Sequence, residues 1–182
     1  RQVLALAEYP ELAGKVPAGT FPQDVVETAR VIARESRHGL GAYTESKGYR
    51  FVREAAARFI AQRDGIAADP DAIFLTDGAS KGVQSVLRIL VADARDGILI
   101  PIPQYPLYSA TITLYGGAQV GYYLDEANGW KVSREILERT IRDAKANGIR
   151  PRAICVINPG NPSGAVLDAQ NVEMVLAFAY EH

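Results

Sequence analysis

Short apolar runs separated by amphipathic helical patterns constrain the fold of this chain more than any other feature. Four runs cover residues 73–76, 98–100, 119–124 and 153–157, and they do not alternate regularly between polar and apolar residues. Strands that are buried on both faces have this character, whereas strands with one solvent-facing side alternate. The pattern therefore predicts an α/β fold with a mostly parallel sheet.

Helical patterns fill the intervals between these runs. Apolar residues recur at intervals of three and four after Pro22, after about Ser46 and after the turn at Gly78–Ser80. Two further helices are predicted over Tyr105–Tyr115 and from Ser133, which is a favourable N-cap residue. Strands that alternate with helices in this way are typical of parallel sheets.

Composition limits the classes of partner and site. Acidic and basic residues nearly cancel, 21 against 20, so we expect neither a nucleic acid nor a membrane as a partner. The single cysteine excludes an intrachain disulfide framework and suits a reducing compartment. Histidine, cysteine and carboxylate residues show no metal-ligand spacing, so no metal is predicted.

Both ends of the sequence look cut. The chain starts at Arg1 rather than at a methionine, and it stops inside an amphipathic pattern that begins at Asp168. A frayed C-terminal helix is the alternative interpretation of that pattern. We expect the chain to be the front part of a longer protein.

Polar or glycine-rich sequence follows three of the four predicted strands, at residues 76–80, 101–105 and 158–164. Ligands of parallel α/β sheets bind at the carboxyl ends of the strands, so these three loops are the predicted binding site. In the first loop, a glycine turn leads into a helix whose N-terminal N–H groups can bind an anion, with Ser80 as an added donor. The alternative for this loop is a plain turn.

The other two loops are rigid because they contain prolines. Pro103 and Pro106 bracket Tyr105, whose fixed ring could stack on a flat ligand or merely cover the start of a helix. In the third loop, two Asn–Pro steps hold Asn158 and Asn161 in extended conformations, from which a side-chain amide could donate to a ligand oxygen.

Together these stretches resemble the fold-type I aminotransferases, and most closely the alanine aminotransferases. The resemblance covers nearly the whole chain in the family's order, and it is carried by residues 39–43, 73–80, 96–99, 101–108, 122–126 and 156–164. It implies a three-layer α/β/α fold that is incomplete in this chain. Residues 1–45 would form an N-terminal segment with the substrate-entrance loop, and residues 46–182 the first part of the large cofactor-binding domain.

The resemblance also implies a pyridoxal 5'-phosphate site. Ala79 and Ser80 would hold the cofactor phosphate, and Tyr105 would stack on the pyridine ring. Asn161 would donate to the ring's phenolic oxygen and stand near the substrate carboxylate. Tyr43 would reach the cofactor phosphate of a partner subunit in a homodimer, while the loop at residues 40–41, Leu40 and Gly41, would line the substrate entrance.

The implied activity is amino transfer from L-alanine to 2-oxoglutarate, in the cytoplasm or alternatively in the mitochondrion. The lysine that binds the cofactor covalently lies beyond His182 in the family, so no catalytic residue is assigned here and the chain alone is expected to be inactive. None of the lysines at positions 47, 81, 131 and 145 lies in the family's lysine motif. Two alternatives are a lyase of the aminocyclopropane-carboxylate synthase type and a non-catalytic, ligand-sensing regulatory domain.

A physical difficulty follows for the predicted strand at residues 73–76. In the family, strands from the later part of the chain separate this strand from the next three. Without those neighbours its buried backbone groups would stay unpaired, at a cost of about 1–3 kcal/mol each. We therefore expect residues 1–182 not to fold natively alone.

Overall fold

The computed structural model describes residues 1–36, 39–41 and 43–182, in two compact units, Arg1–Thr76 and Asp77–His182. The predicted glycine-rich loop around residues 37–43 is thus described only in part, since Arg37, His38 and Ala42 lie outside the described residues. The predicted domain boundary at residue 45 differs from this division and stays a prediction.

The first unit is helical. It contains α1 (Gln2–Glu8), α2 (Leu12–Lys15), α3 (Gln23–Glu35), α4 (Arg50–Asp64) and a 3-10 helix (Pro70–Ala72). The helices predicted after Pro22 and Ser46 are confirmed, although α4 starts four residues later than expected. α1 packs against α3, and each contributes one buried apolar residue, Leu6 and Ala29.

A buried arginine joins three segments of the first unit. Arg53 on α4 is 1% exposed. Its guanidinium donates to the backbone carbonyls of Gly48 (3.1 Å) and Pro70 (2.8 Å). It also donates to the carboxylates of Asp71 (3.0 Å) and Glu45 (2.5 Å). A buried cation needs such partners to offset its lost hydration, so Arg53 fixes the turn before α4 to the segment after it.

The predicted strand at residues 73–76 is wrong: this run forms no strand in the structure. Phe74 is 64% exposed, so the run is not the buried segment that its composition suggested. The N–H of Leu75 donates to the carbonyl of Lys47 (2.9 Å) instead of to a strand. Gly48 permits this approach, because a Cβ there would lie 2.6 Å from the Leu75 side chain. A strand needs a neighbouring strand, and the described residues provide none beside this run.

The second unit contains the predicted parallel sheet. Its strands are β1 (Asp96–Ile102), β2 (Ala118–Tyr123) and β3 (Arg150–Ile154), in the spatial order β2-β1-β3. β1 pairs in parallel with both neighbours, which confirms the predicted strands at residues 98–100, 119–124 and 153–157 within a few residues. The helices are α5 (Gly78–Leu90), α6 (Leu107–Leu114), α7 (Arg134–Ala146) and α8 (Ala169–Glu181), with a 3-10 helix at Glu126–Asn128.

Helices cover both faces of this sheet, which confirms the three-layer arrangement. Successive residues of β1 point to opposite faces. Leu99 belongs to an apolar cluster with α7 and α8, and Ile98 and Ile100 belong to a second cluster with α5 and α6. Within the described ranges no helix is both long and apolar enough to cross a membrane.

The role of Arg53 can be tested by substitution in the full-length protein. Arg53→Met should lower the free energy of unfolding by about 2–4 kcal/mol, because the partly buried carbonyls of Gly48 and Pro70 lose a charged donor while the two exposed carboxylates can rehydrate. Arg50→Met is the matched control, since Arg50 also pairs with Asp71 but is half-exposed, and it should cost much less. Chemical denaturation measures both variants, and equal losses would contradict this role.

Candidate cofactor site

Two of the three predicted loops start at the same edge of the sheet. β1 and β3 are parallel, so their carboxyl ends lie together. After β1 the chain continues through a cis Ile102–Pro103 bond to Tyr105, whose side chain is 47% exposed. After β3 it continues to Asn158–Gly164, where both Asn–Pro bonds are cis. The two loops can therefore contribute to one site.

The C-terminal end of α5 lies at the opposite, amino edge of the sheet. α5 ends at Leu90, and the backbone N–H of Ala92 donates to the carboxylate of Asp96 at the start of β1 (2.9 Å). Leu87 and Val91, near this end of the helix, belong to the same apolar cluster as Ile98 and Ile100 of β1. The position of the first turn of α5 at the carboxyl edge stays a prediction.

The N-terminus of α5 lacks a side-chain cap. Ala79 and Ser80 lie in its first turn and are exposed. The side chain of the N-cap residue Asp77 accepts no hydrogen bond from this turn. Ser133 and Asp168, in contrast, cap α7 and α8 with their side-chain oxygens. The backbone N–H groups of Ala79 and Ser80 are therefore available to an anion, together with the positive end of the helix dipole.

The two asparagines of the third loop have different surroundings. The side-chain oxygen of Asn158 accepts from the N–H of Leu167 (3.1 Å). The side chain of Asn161 is exposed, and among the described residues none hydrogen-bonds to it. The amide of Asn161 is thus not used within the described part of the chain, and its role toward a ligand stays a prediction.

A buried tyrosine holds the start of this loop. Tyr122 on β2 is 1% exposed, and its hydroxyl donates to the carbonyl of Cys155 (2.7 Å). The N–H of Cys155 donates to the carbonyl of Leu99 (2.8 Å), which extends the pairing of β3 with β1. Burial raises the pKa of Tyr122 above its usual range, so the hydroxyl remains a donor at physiological pH. Sequence analysis missed this role, because the strand pattern around Tyr122 does not reveal its partner.

Gln104 was also missed, although it lies between the two prolines of the second loop. Its side-chain oxygen is buried and has no hydrogen-bond partner among the described residues. A buried unpaired acceptor costs about 1–3 kcal/mol, so a ligand donor at this edge would be favourable. The N–H groups of Ala79 and Ser80, the exposed ring of Tyr105, the amide of Asn161 and this acceptor have the chemistry that a phosphorylated heteroaromatic ligand needs.

The remaining predicted site residues belong to the first unit. Tyr43 is fully exposed, and Leu40 and Gly41 form a turn. The hydroxyl of Tyr49 donates to the carbonyl of Gly39 (3.3 Å) at the start of this segment. The roles of Tyr43, Leu40 and Gly41 stay predictions.

Two of the lysines have structural partners. Lys47 donates to the carbonyl of Asp71 (2.6 Å), and Lys131 forms an ion pair with Asp168 (2.6 Å). Lys81 and Lys145 are exposed helical residues. We still expect that none of these four lysines binds the cofactor covalently.

Cys155 offers a test of how the loop is packed. Burial raises the pKa of its thiol to about 11, against a hydrogen bond from Tyr108 that lowers it. Thiols react as thiolates, so at pH 8 alkylation should be roughly a hundredfold slower than for a free cysteine. Its rate should rise about tenfold per pH unit between pH 8 and 10.

Peptide mass spectrometry of the iodoacetamide-treated native protein measures this rate at Cys155. The same cysteine in denaturant is the control and should titrate near its ordinary pKa of about 8.5. A native rate that levels off near pH 8.5 would show that the thiol is not packed as described.

Comparison with known proteins shows the family. The family model for aminotransferase class I and II matches residues 4–182. The chain is 49% identical over its full length to a probable mitochondrial alanine aminotransferase of Dictyostelium discoideum, covering 34% of that protein. It is 46% identical over 99% of its length to glutamate–glyoxylate aminotransferase 1 of Arabidopsis thaliana, covering 38% of that protein.

A solved structure agrees with this result. The alanine aminotransferase from Pyrococcus furiosus matches 81% of this chain with a TM-score of 0.70 and 30% identity, and the chain covers 36% of it. The chain spans between a third and two fifths of the length of the curated relatives it matches. The α/β architecture is that of the fold-type I aminotransferases. This chain belongs to the aminotransferase class I and II family.

Proposed function

We propose that the protein containing this chain transfers amino groups between amino acids and 2-oxo acids with pyridoxal 5'-phosphate. The observation that carries the proposal is that the three predicted loops hold groups not used within the described chain: the N–H groups of Ala79 and Ser80, the exposed ring of Tyr105 and the amide of Asn161. The match of residues 4–182 to an aminotransferase family supports it.

Each of these groups has a distinct task in the proposal. When bound, the cofactor supplies an electron sink for the substrate's α-carbon. Ala79 and Ser80 hold its phosphate through backbone N–H groups and the Ser80 hydroxyl. Tyr105 covers one face of the ring, and Asn161 donates to the phenolic oxygen and stands near the substrate carboxylate.

The substrates we propose are L-alanine and 2-oxoglutarate, giving pyruvate and L-glutamate. The relative named alanine aminotransferase supports this pair. Glutamate with glyoxylate is a second candidate, because a relative with that name is nearly as similar. The covalent lysine comes from sequence beyond His182, so residues 1–182 alone should show no amino transfer.

The assembly and compartment belong to the same proposal. We infer a homodimer, in which Tyr43 reaches the cofactor phosphate of the partner subunit and Leu40 and Gly41 line the substrate entrance. The cytoplasm is the proposed compartment and the mitochondrion the alternative, which the name of the Dictyostelium relative favours.

Cofactor binding can be tested by spectroscopic titration of the full-length protein with pyridoxal phosphate. Ser80→Ala should weaken binding about tenfold or more, because a charge-assisted hydrogen bond is worth about 1.5–3 kcal/mol. Tyr105→Leu should weaken it by about two- to tenfold through lost stacking. Ser85→Ala on the same helix is the control and should bind normally, since that hydroxyl bonds to the Lys81 carbonyl. Unchanged binding in both site variants would refute the assignment.

The reaction is tested by product analysis with two substrate pairs. Faster pyruvate formation from L-alanine and 2-oxoglutarate than glycine formation from L-glutamate and glyoxylate supports the first pair, and the reverse order supports the second. Cofactor binding without amino transfer from any amino acid would favour the lyase or the regulatory domain.

A further inference from the structure

We propose that Asn158 is a positioning residue that closes the loop at residues 158–167 and thereby sets the direction of the Asn161 amide. The inference rests on the proposed function of Asn161. It follows from the different partners of two asparagines that share the same Asn–Pro context. Both are exposed, but Asn158 accepts a hydrogen bond from the backbone, whereas the Asn161 side chain has no hydrogen-bond partner among the described residues.

The bond from Asn158 joins the two ends of the loop. Its side-chain oxygen accepts from the N–H of Leu167, nine positions along the chain (3.1 Å). Within the loop, the N–H of Gly160 donates to the carbonyl of Ala165 (2.7 Å). The N–H of Gly164 donates to the carbonyl of Gly160 (2.7 Å). These bonds leave Asn161 at the tip of a closed turn.

Close packing restricts the tip further. A Cβ at Gly160 would collide with the hydroxyl oxygen of Ser163, which also accepts from the N–H of Ala165 (3.4 Å). A residue larger than glycine at position 160 would therefore require the Ser163 hydroxyl to rotate away and give up its bond from Ala165.

The ends that Asn158 joins are themselves anchored. Cys155, before the loop, is tied to β1 through its N–H and to β2 through Tyr122. Leu167, at its far end, precedes Asp168, which caps α8 and pairs with Lys131. The Asn158 bond thus closes the loop between two anchored ends, and its loss leaves the segment that carries Asn161 held only by the bonds of Gly160 and Gly164.

The two asparagines use opposite halves of their amides, which separates their roles experimentally. Asn158 uses its oxygen as an acceptor, so aspartate can replace it, whereas leucine of similar size cannot. Asn161 would act as a donor to an oxygen of the cofactor. Aspartate at 161 would remove the donor and add a repelling negative charge.

The experiment uses the full-length protein with Asn158→Asp, Asn158→Leu, Asn161→Asp and Asn161→Leu. Hydrogen exchange of the Leu167 amide is measured without cofactor, and the dissociation constant of pyridoxal phosphate is measured by titration. We expect Asn158→Leu to speed exchange at Leu167 about tenfold and to weaken cofactor binding. In Asn158→Asp, both the exchange rate at Leu167 and cofactor binding should stay close to those of the unsubstituted protein. The Asn161 variants should weaken cofactor binding and leave the exchange rate at Leu167 unchanged.

The outcomes separate this inference from the proposed function. Normal exchange and normal cofactor binding in Asn158→Leu would overturn the positioning role, as would equal defects in Asn158→Asp and Asn158→Leu. Normal binding in both Asn161 variants would overturn the proposed function instead. If Asn158→Leu is not recovered folded, Asn158→Ala replaces it, because alanine also lacks the acceptor.

Discussion

The parallel pairing of β1 with both of its neighbours is the constraint on which the second unit depends. A parallel pair needs a crossover between its strands, so helices must pack on the sheet, and here they cover both faces. The residues of β1 are consequently buried on either side. The same pairing brings the carboxyl ends of β1 and β3 to one edge. The loops with Tyr105 and Asn161 share that edge because of topology and not because they bind each other.

Polar groups of the three predicted loops and of the strand beside them fall into two sets, according to whether the fold already uses them. Tyr122 and Asn158 form hydrogen bonds to backbone groups of this chain through the Tyr122 hydroxyl and the Asn158 side-chain oxygen. Ser80, Tyr105 and Asn161 are exposed. Since a scaffold with satisfied bonds is rigid and a ligand needs unsatisfied groups, this separation is what a pre-organised binding site requires.

Sequence reasoning predicted the strands of the second unit well because burial on two faces leaves a compositional mark. It failed at residues 73–76. The apolar composition of this run shows that it could be buried, but it does not show whether another strand is available to pair with it. It also could not identify Arg53, since an arginine on an amphipathic helix resembles any solvated residue until its carbonyl partners are known. The residue pattern alone left Asn158 and Asn161 equivalent, and only the resemblance to the family singled out Asn161; the bond from Leu167 to Asn158 depends on the path of the backbone, which the pattern does not reveal.

The closed loop has an energetic consequence for Asn161. A flexible loop that must order itself on binding loses conformational entropy, about 1–2 kcal/mol for each backbone residue that becomes fixed. Bonds from Gly160 and Asn158 fix this segment before any ligand arrives. In the site that we propose, ordering of the amide of Asn161 on binding would then be limited mainly to its own side chain. A short polar side chain on a rigid tip can therefore contribute affinity that the same side chain on a mobile loop would lose to ordering.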